Sequence, residues 1–201
     1  MNEPPQNIQI PRRPEDDPEY SAILFGVGQC LARWSMVEHA LARLFAALMG
    51  AADPNLTSTA FDAVISFETR LDMVNAVAER SQDVLFRESW NALHNKLSKL
   101  YRKRHQVAHF TILYNVTERK HTLHPFFSFK NLRSPILSSN DLGLRAISFA
   151  KIEKRLTRHA FYILHQQGRL AADVLPEGGP AQLLLNEDAQ THEGTTPPPR
   201  S

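Results

Sequence analysis

Among 201 residues there is one cysteine, Cys30. A lone thiol excludes an internal disulfide framework and a cysteine-rich zinc site, and it makes a reducing, cytoplasmic setting the default expectation. No apolar run approaches the ~20 residues that span a bilayer, so no membrane partner is expected. The opening stretch MNEPPQNIQIPRRPEDD has no apolar centre and does not read as a signal peptide. Asn55-Leu56-Thr57 and Asn115-Val116-Thr117 match the glycosylation pattern, but without a secretion signal they carry no weight. Acidic residues are scarce in one long block. Residues 89–170 hold three acids against fifteen lysines and arginines, a net +12 within a chain whose total is only +2. Seven of the nine histidines fall in the same block. A local excess of that size attracts a polyanion; the competing reading is a solvated basic face with no partner.

What the chain has in quantity is helical periodicity. Residues 1–19, with five prolines and scattered charge, read as a disordered tail. From Tyr20 to Met49 apolar residues recur at steps of three and four, and Gly50 ends the pattern. Gly26 and Gly28 either weaken this helix or permit close helix contact. A short helix is expected over about Ser58–Ile65. Ser66 reads as the N-cap of the next, which fades near Ser81. A long helix follows from about Asp83 to Ala108, with Leu85, Trp90, Leu93, Leu97, Leu100, Val107 and Ala108 as its stripe. The period then changes to that of a β-hairpin insert over about 110–130. Asn131–Asp141 reads as a loop, and a last helix starts near Ser148 and fades around Leu175. Residues 176–201 read as a second disordered tail, in which Leu183-Leu184-Leu185 offers a docking segment. The expected fold is a mainly α, antiparallel four- to five-helix bundle over 20–175, carrying the hairpin and two tails.

Chemistry concentrates at the end of the long helix, in Arg102-Lys103-Arg104-His105-Gln106-Val107-Ala108-His109. Arginine presents a permanent planar charge that fits phosphate oxygens. Histidine gives or takes a proton near neutral pH. At about 100° per residue, seven residues return to within ~20° and four to within ~40°. Arg104 therefore lines up with Leu97, Leu93 and Ala108 on the apolar face, while Arg102, His105 and His109 share the adjoining polar face. An arginine on a buried stripe is unfavourable unless it is paired. Its candidate partners are Glu38, just past Trp34 on the first helix, and a phosphate at a subunit or domain interface.

The segment Arg104-His105-Gln106-Val107-Ala108-His109 resembles the motif of the HEPN superfamily, in which an arginine and a polar residue precede a histidine. That superfamily comprises small helical bundles, many of them metal-independent ribonucleases. The opening helix with Trp34 and Glu38, and the motif at the end of a later helix, are similar to its arrangement. The resemblance implies Arg104 and His109 as catalytic residues, with His105, which stands where the family most often has Asn, or the second subunit's His109 in the complementary proton role. It implies a homodimer whose two motifs share a cleft, RNA (or a nucleotide) as ligand, and no cofactor. A toxin or defence role, with an antitoxin or regulatory protein as partner, is a further implication. The hairpin is not a general feature of the family. Arg102 and Lys103 would hold flanking phosphates.

Each residue also has a structural reading. Arg104 would pair with Glu38 and hold the bundle. His109 would cap a helix C-terminus. Arg102 and Lys103 would be a solvated face. His105 and His109, with His121 or His124, would bind zinc, although the leading reading has no metal. Phe126, Phe127 and Phe129 would either stack on bases or cover the bundle.

Overall fold

The first helix takes its start from Asp17. Its Oδ1 accepts the backbone N–H of Glu19 at 2.8 Å. Pro18 sits in the first turn, where its missing N–H leaves nothing unsatisfied. Glu19 places a carboxylate at the positive end of the helix. From this cap α1 runs Pro18–Leu48, beginning at Pro18 rather than Tyr20. Gly50, at φ 61°, ends it by adopting the left-handed turn that other residues resist.

The computed structural model describes residues 17–116, 118, 120–125, 135–170 and 179–184. The expected tail segments 1–16 and 185–201, and Phe126, Phe127 and Phe129, lie outside the described residues. The protein is mainly helical. Among the described residues α1 is followed by α2 (Pro54–Asp62), α3 (Phe67–Ala78), α4 (Val84–His109), strands β1 (Phe110–Asn115) and β2 (Lys120–Pro125), and α5 (Ser139–Gln166). The strands form an antiparallel pair with Tyr114 opposite His121 and Thr111 opposite His124. No helix among the described residues is long and apolar enough to cross a membrane.

The last helix begins at Ser139, well before Ser148. Its start is a reciprocal cap. Asp141 Oδ2 accepts the backbone N–H of Ser138 at 2.9 Å and the Ser138 hydroxyl at 2.6 Å, while Ser138 Oγ accepts the N–H of Asp141 at 3.2 Å. The hydrogen bonds from Ser138 hold the Asp141 carboxyl below the usual range, against the opposing effect of burial.

The chain divides into two compact units, Met1–Glu38 with Leu97–Glu153, and His39–Lys96 with Lys154–Ser201. In the first, Trp34 is fully buried, edge-on to Phe149 at 5.2 Å and tilted against Tyr101 at 6.0 Å. Its indole N–H donates to Glu38 Oε1 at 2.7 Å. The start of β2 is tied to the start of α1: the backbone N–H of His121 donates to Glu19 Oε2 at 3.0 Å. His121 Nδ1 lies 2.8 Å from Asp17 Oδ2, close enough for an ion pair yet off the direction of a hydrogen bond.

The two glycines of α1 separate cleanly here. A Cβ on Gly26 would lie 2.9 Å from Leu142 Cβ, a distance that forces backbone to move, whereas one on Gly28 would meet nothing within 4 Å. Gly26→Ala is expected to destabilise the chain by about 1–3 kcal/mol, as overpacking does. Gly28→Ala is expected to stabilise it by up to ~1 kcal/mol through helix propensity. Urea midpoints of the two variants moving in the same direction would refute this assignment of close contact.

In the second unit the starts of α2, α3 and α4 each have a side-chain cap. Asp53 Oδ1 accepts the N–H of Asn55 at 2.9 Å, Ser66 Oγ accepts that of Thr69 at 3.3 Å, and Asp83 Oδ1 accepts that of Phe86 at 3.0 Å. Asp83 Oδ2 also accepts the Tyr162 hydroxyl. Burial, with the Asp83 bond, pushes that hydroxyl up to about 12. On α4 it is Phe86, not Leu85, that is buried, stacked on Tyr162 at 6.3 Å. The expected tail is partly built: a 3-10 turn at Pro180–Leu183 buries Leu183 and Leu184.

His159 is fully buried in this unit. Its Nδ1 is 2.8 Å from the Arg155 carbonyl oxygen, which only accepts, so the ring proton sits on Nδ1. Nε2 is then left to accept from Ser89 Oγ at 3.0 Å. Ser89 Oγ is also 3.1 Å from the Leu184 carbonyl oxygen, so one hydroxyl proton is shared between two acceptors. Burial pushes the imidazole down to about 4. The unfolded chain takes up this proton near the ordinary pKa of about 6.5, before the folded chain does. The associated stability is therefore complete above about pH 6.5 and is lost as pH falls toward 4. A total of ~3 kcal/mol corresponds to a shift of that size. Chemical unfolding at pH 6.5 and 5 samples about half of it, and a flat result across that window would contradict a neutral buried His159.

Candidate nucleic-acid interface

The Arg102–His109 segment forms the last turns of α4. Amphipathic spacing decides which way each side chain faces. Leu93, Leu97, Leu100 and Val107 are buried, Arg104 is half-buried beside them, and Arg102, Lys103, His105 and His109 are exposed. That is the division expected from the sequence, except that Ala108 is exposed and Phe86 joins the buried stripe.

His105 and His109, one turn apart, have ring centroids 4.2 Å apart with planes at 47°. His109 is the last residue of the helix, where the carbonyl ends carry partial negative charge. The Arg104 Nε is buried and has no hydrogen-bond partner among the described residues. A buried donor left unmade carries a desolvation penalty of about 1–3 kcal/mol. Glu38, the residue considered as its partner, accepts the Trp34 indole N–H.

A second arginine belongs to this neighbourhood and was not foreseen. Arg145 is buried, and its Nη1 donates to the Lys103 carbonyl oxygen at 2.9 Å. It fastens the first turns of α5 to the backbone of the basic segment. Burial lowers its pKa, yet a guanidinium starts so high that it keeps its charge. The available signal was an arginine at helical spacing from Leu142, Phe149 and Ile152, hidden because α5 was expected to start only near Ser148.

The hairpin histidines are occupied elsewhere. His124 Nε2 lies 2.8 Å from Thr122 Oγ1, and His121 faces Asp17, Tyr20 and Tyr114. Among the described residues no group of three or more histidine, cysteine or acidic side chains is placed to hold a metal ion. The described geometry does not bring His121 or His124 together with His105 and His109 as a metal-holding group. A cavity of about 260 Å³ is lined by residues of α1, α2 and α5 and by Arg169, with none of the Arg102–His109 cluster among them. Arg102, Lys103, His105 and His109 are exposed and Arg104 is half-buried, which suits an extended ligand better than a small enclosed one. Set against protein-family models, curated proteins and solved structures, the chain matches none.

Proposed function

We propose that the C-terminal end of α4 binds RNA and cleaves it, as a metal-independent endoribonuclease of HEPN type. The observation that carries the reading is a pair of exposed imidazoles, 4.2 Å apart, beside a half-buried arginine whose Nε has no hydrogen-bond partner among the described residues. In the proposed reaction one imidazole, His109 or His105, removes the proton of a ribose 2′-hydroxyl. The 2′-oxygen attacks the adjacent phosphorus, and the bond to the 5′-oxygen breaks. That leaving oxygen takes its proton from the other imidazole. The products are a cyclic phosphate and a 5′-hydroxyl. Arg104 stabilises the charge that builds on the phosphorane oxygens, and Arg102 and Lys103 hold flanking phosphates.

The same proposal includes a four- to five-helix bundle acting as a homodimer in the cytoplasm. In it Glu38 orients Arg104, and the second copy's motif completes a shared cleft. A toxin or defence role, controlled by an antitoxin or regulatory protein, fits such an enzyme. The test is incubation of the purified protein with end-labelled RNA and, separately, DNA of the same sequence, in EDTA. Cleavage of RNA alone, leaving cyclic-phosphate ends, is the expected outcome. A second reading rests on the exposed, open character of the cluster: a non-catalytic module that binds RNA, a nucleotide or a protein. RNA binding at low salt with no product after prolonged incubation would establish that reading in place of the first.

A further inference from the structure

The 260 Å³ cavity of the second unit has a composition that the basic helix end does not explain. Its floor is apolar, formed by Ala46 and Ala47 of α1 and by Ala160, Phe161 and Leu164 of α5. Two arginines, Arg43 and Arg169, also line it, and among the described residues no acidic side chain does. Asn55, Ser58 and Thr157 add neutral polar groups. The arginines come from different elements. Arg43 projects from α1, and Arg169 follows the Gly168 turn at φ 66° that ends α5. Arg169 is held in place by donating Nη2–H to the Ala51 carbonyl oxygen at 3.0 Å. An apolar hollow with a few convergent polar groups is the usual form of a small-ligand site. Small side chains keep this one open: alanines stand at positions 46, 47 and 160, where leucine would fill it.

Size and charge narrow the ligand. A dry cavity of about 150 Å³ admits benzene, so 260 Å³ accommodates roughly ten non-hydrogen atoms. Guanidinium groups present paired N–H donors to a carboxylate. We infer that this cavity binds a small amphipathic carboxylate, an acyl or aryl chain with its body on Ala47, Ala160 and Phe161 and its head between Arg43 and Arg169. The α2 N-terminus is not the anion site, because Asp53 already accepts the N–H groups of Asn55 and Leu56. The inference is independent of the ribonuclease reading, since no residue is shared.

Octanoate is a suitable probe, with octan-1-ol and octylammonium as controls of the same length. Titration of the full chain, followed by calorimetry and by thermal shift, is expected to show saturable octanoate binding. Octan-1-ol should bind at least about tenfold more weakly, and octylammonium should not bind measurably, as one charge-assisted pair requires. Arg43→Gln and Arg169→Gln together should weaken octanoate about tenfold or more and leave octan-1-ol unchanged. Ala160→Leu should abolish both. Should that variant fail to fold by circular dichroism, the arginine pair carries the test alone, because both side chains are exposed. Equal affinity for the acid and the alcohol, or octanoate binding that survives loss of both arginines, would overturn the inference.

Discussion

In His109→Ala, RNA cleavage is expected to fall by about 10²–10⁴-fold, the usual contribution of a positioned acid or base. The side chain is exposed at the last position of α4 and stacks only loosely against His105. Its removal should therefore leave the fold intact. RNA affinity should change little, since the proposal assigns the phosphate contacts to Arg102, Lys103 and Arg104. That split between rate and binding separates catalysis from docking. His105→Ala is the comparison. If the two rings divide the acid and base roles, both variants lose rate to a similar degree, and the double variant loses little more than either. Arg104→Lys keeps the charge but not the planar fork, and it should recover only part of the loss in Arg104→Ala. Full activity in His109→Ala, measured on single-turnover timescales, would sink the proposed chemistry while leaving RNA binding possible.

The second large effect concerns stability. Trp34→Ala should cost about 3–5 kcal/mol, the range for truncating a large buried aromatic. Its exposure is 1%, and it meets Phe149 and Tyr101 on two sides. Its indole N–H bond to Glu38 would also be lost, leaving the carboxylate without that donor. Trp34→Phe keeps most of the ring and loses the bond, so it should fall well short of the alanine variant. Urea unfolding followed by circular dichroism gives both values. A loss below about 1 kcal/mol in Trp34→Ala would mean that the site collapses around the gap instead of holding a void.

Much of the helical arrangement was legible in the chain because stripe spacing and cap residues agreed. Ser66 was identified as a cap from its neighbours, and its hydroxyl does accept the Thr69 N–H. The division of Arg104 from Arg102, His105 and His109 followed from helix geometry alone. The start of α5 was missed for an identifiable reason. Ser138 and Asp141 form a reciprocal cap, but Ser134, Pro135, Ser138 and Ser139 read as continuing loop. Leu85 and Phe86 are adjacent, and periodicity cannot choose between neighbours that differ by one step; the stacking of Phe86 on Tyr162 settles it. Leu183 and Leu184 carried too little pattern to place, since a short 3-10 turn has no repeating face. Arg145 was invisible because its partner is a backbone carbonyl, which no side-chain motif encodes. The cavity was equally out of reach, being made by alanines that look ordinary along the chain.

Cys30 gives the molecule a built-in reporter. The thiol is fully buried, donates to the Leu142 carbonyl oxygen at 3.2 Å, and is pushed up to about 11 by burial. Reagents such as Ellman's disulfide attack only an accessible thiolate, so the native chain should stay unlabelled for as long as α1 and α5 remain apposed there. Each labelling event then counts one excursion in which that seam parts. The reaction clock needs no engineered probe, and at reagent levels where labelling outpaces reclosing it reads the lifetime of the closed state.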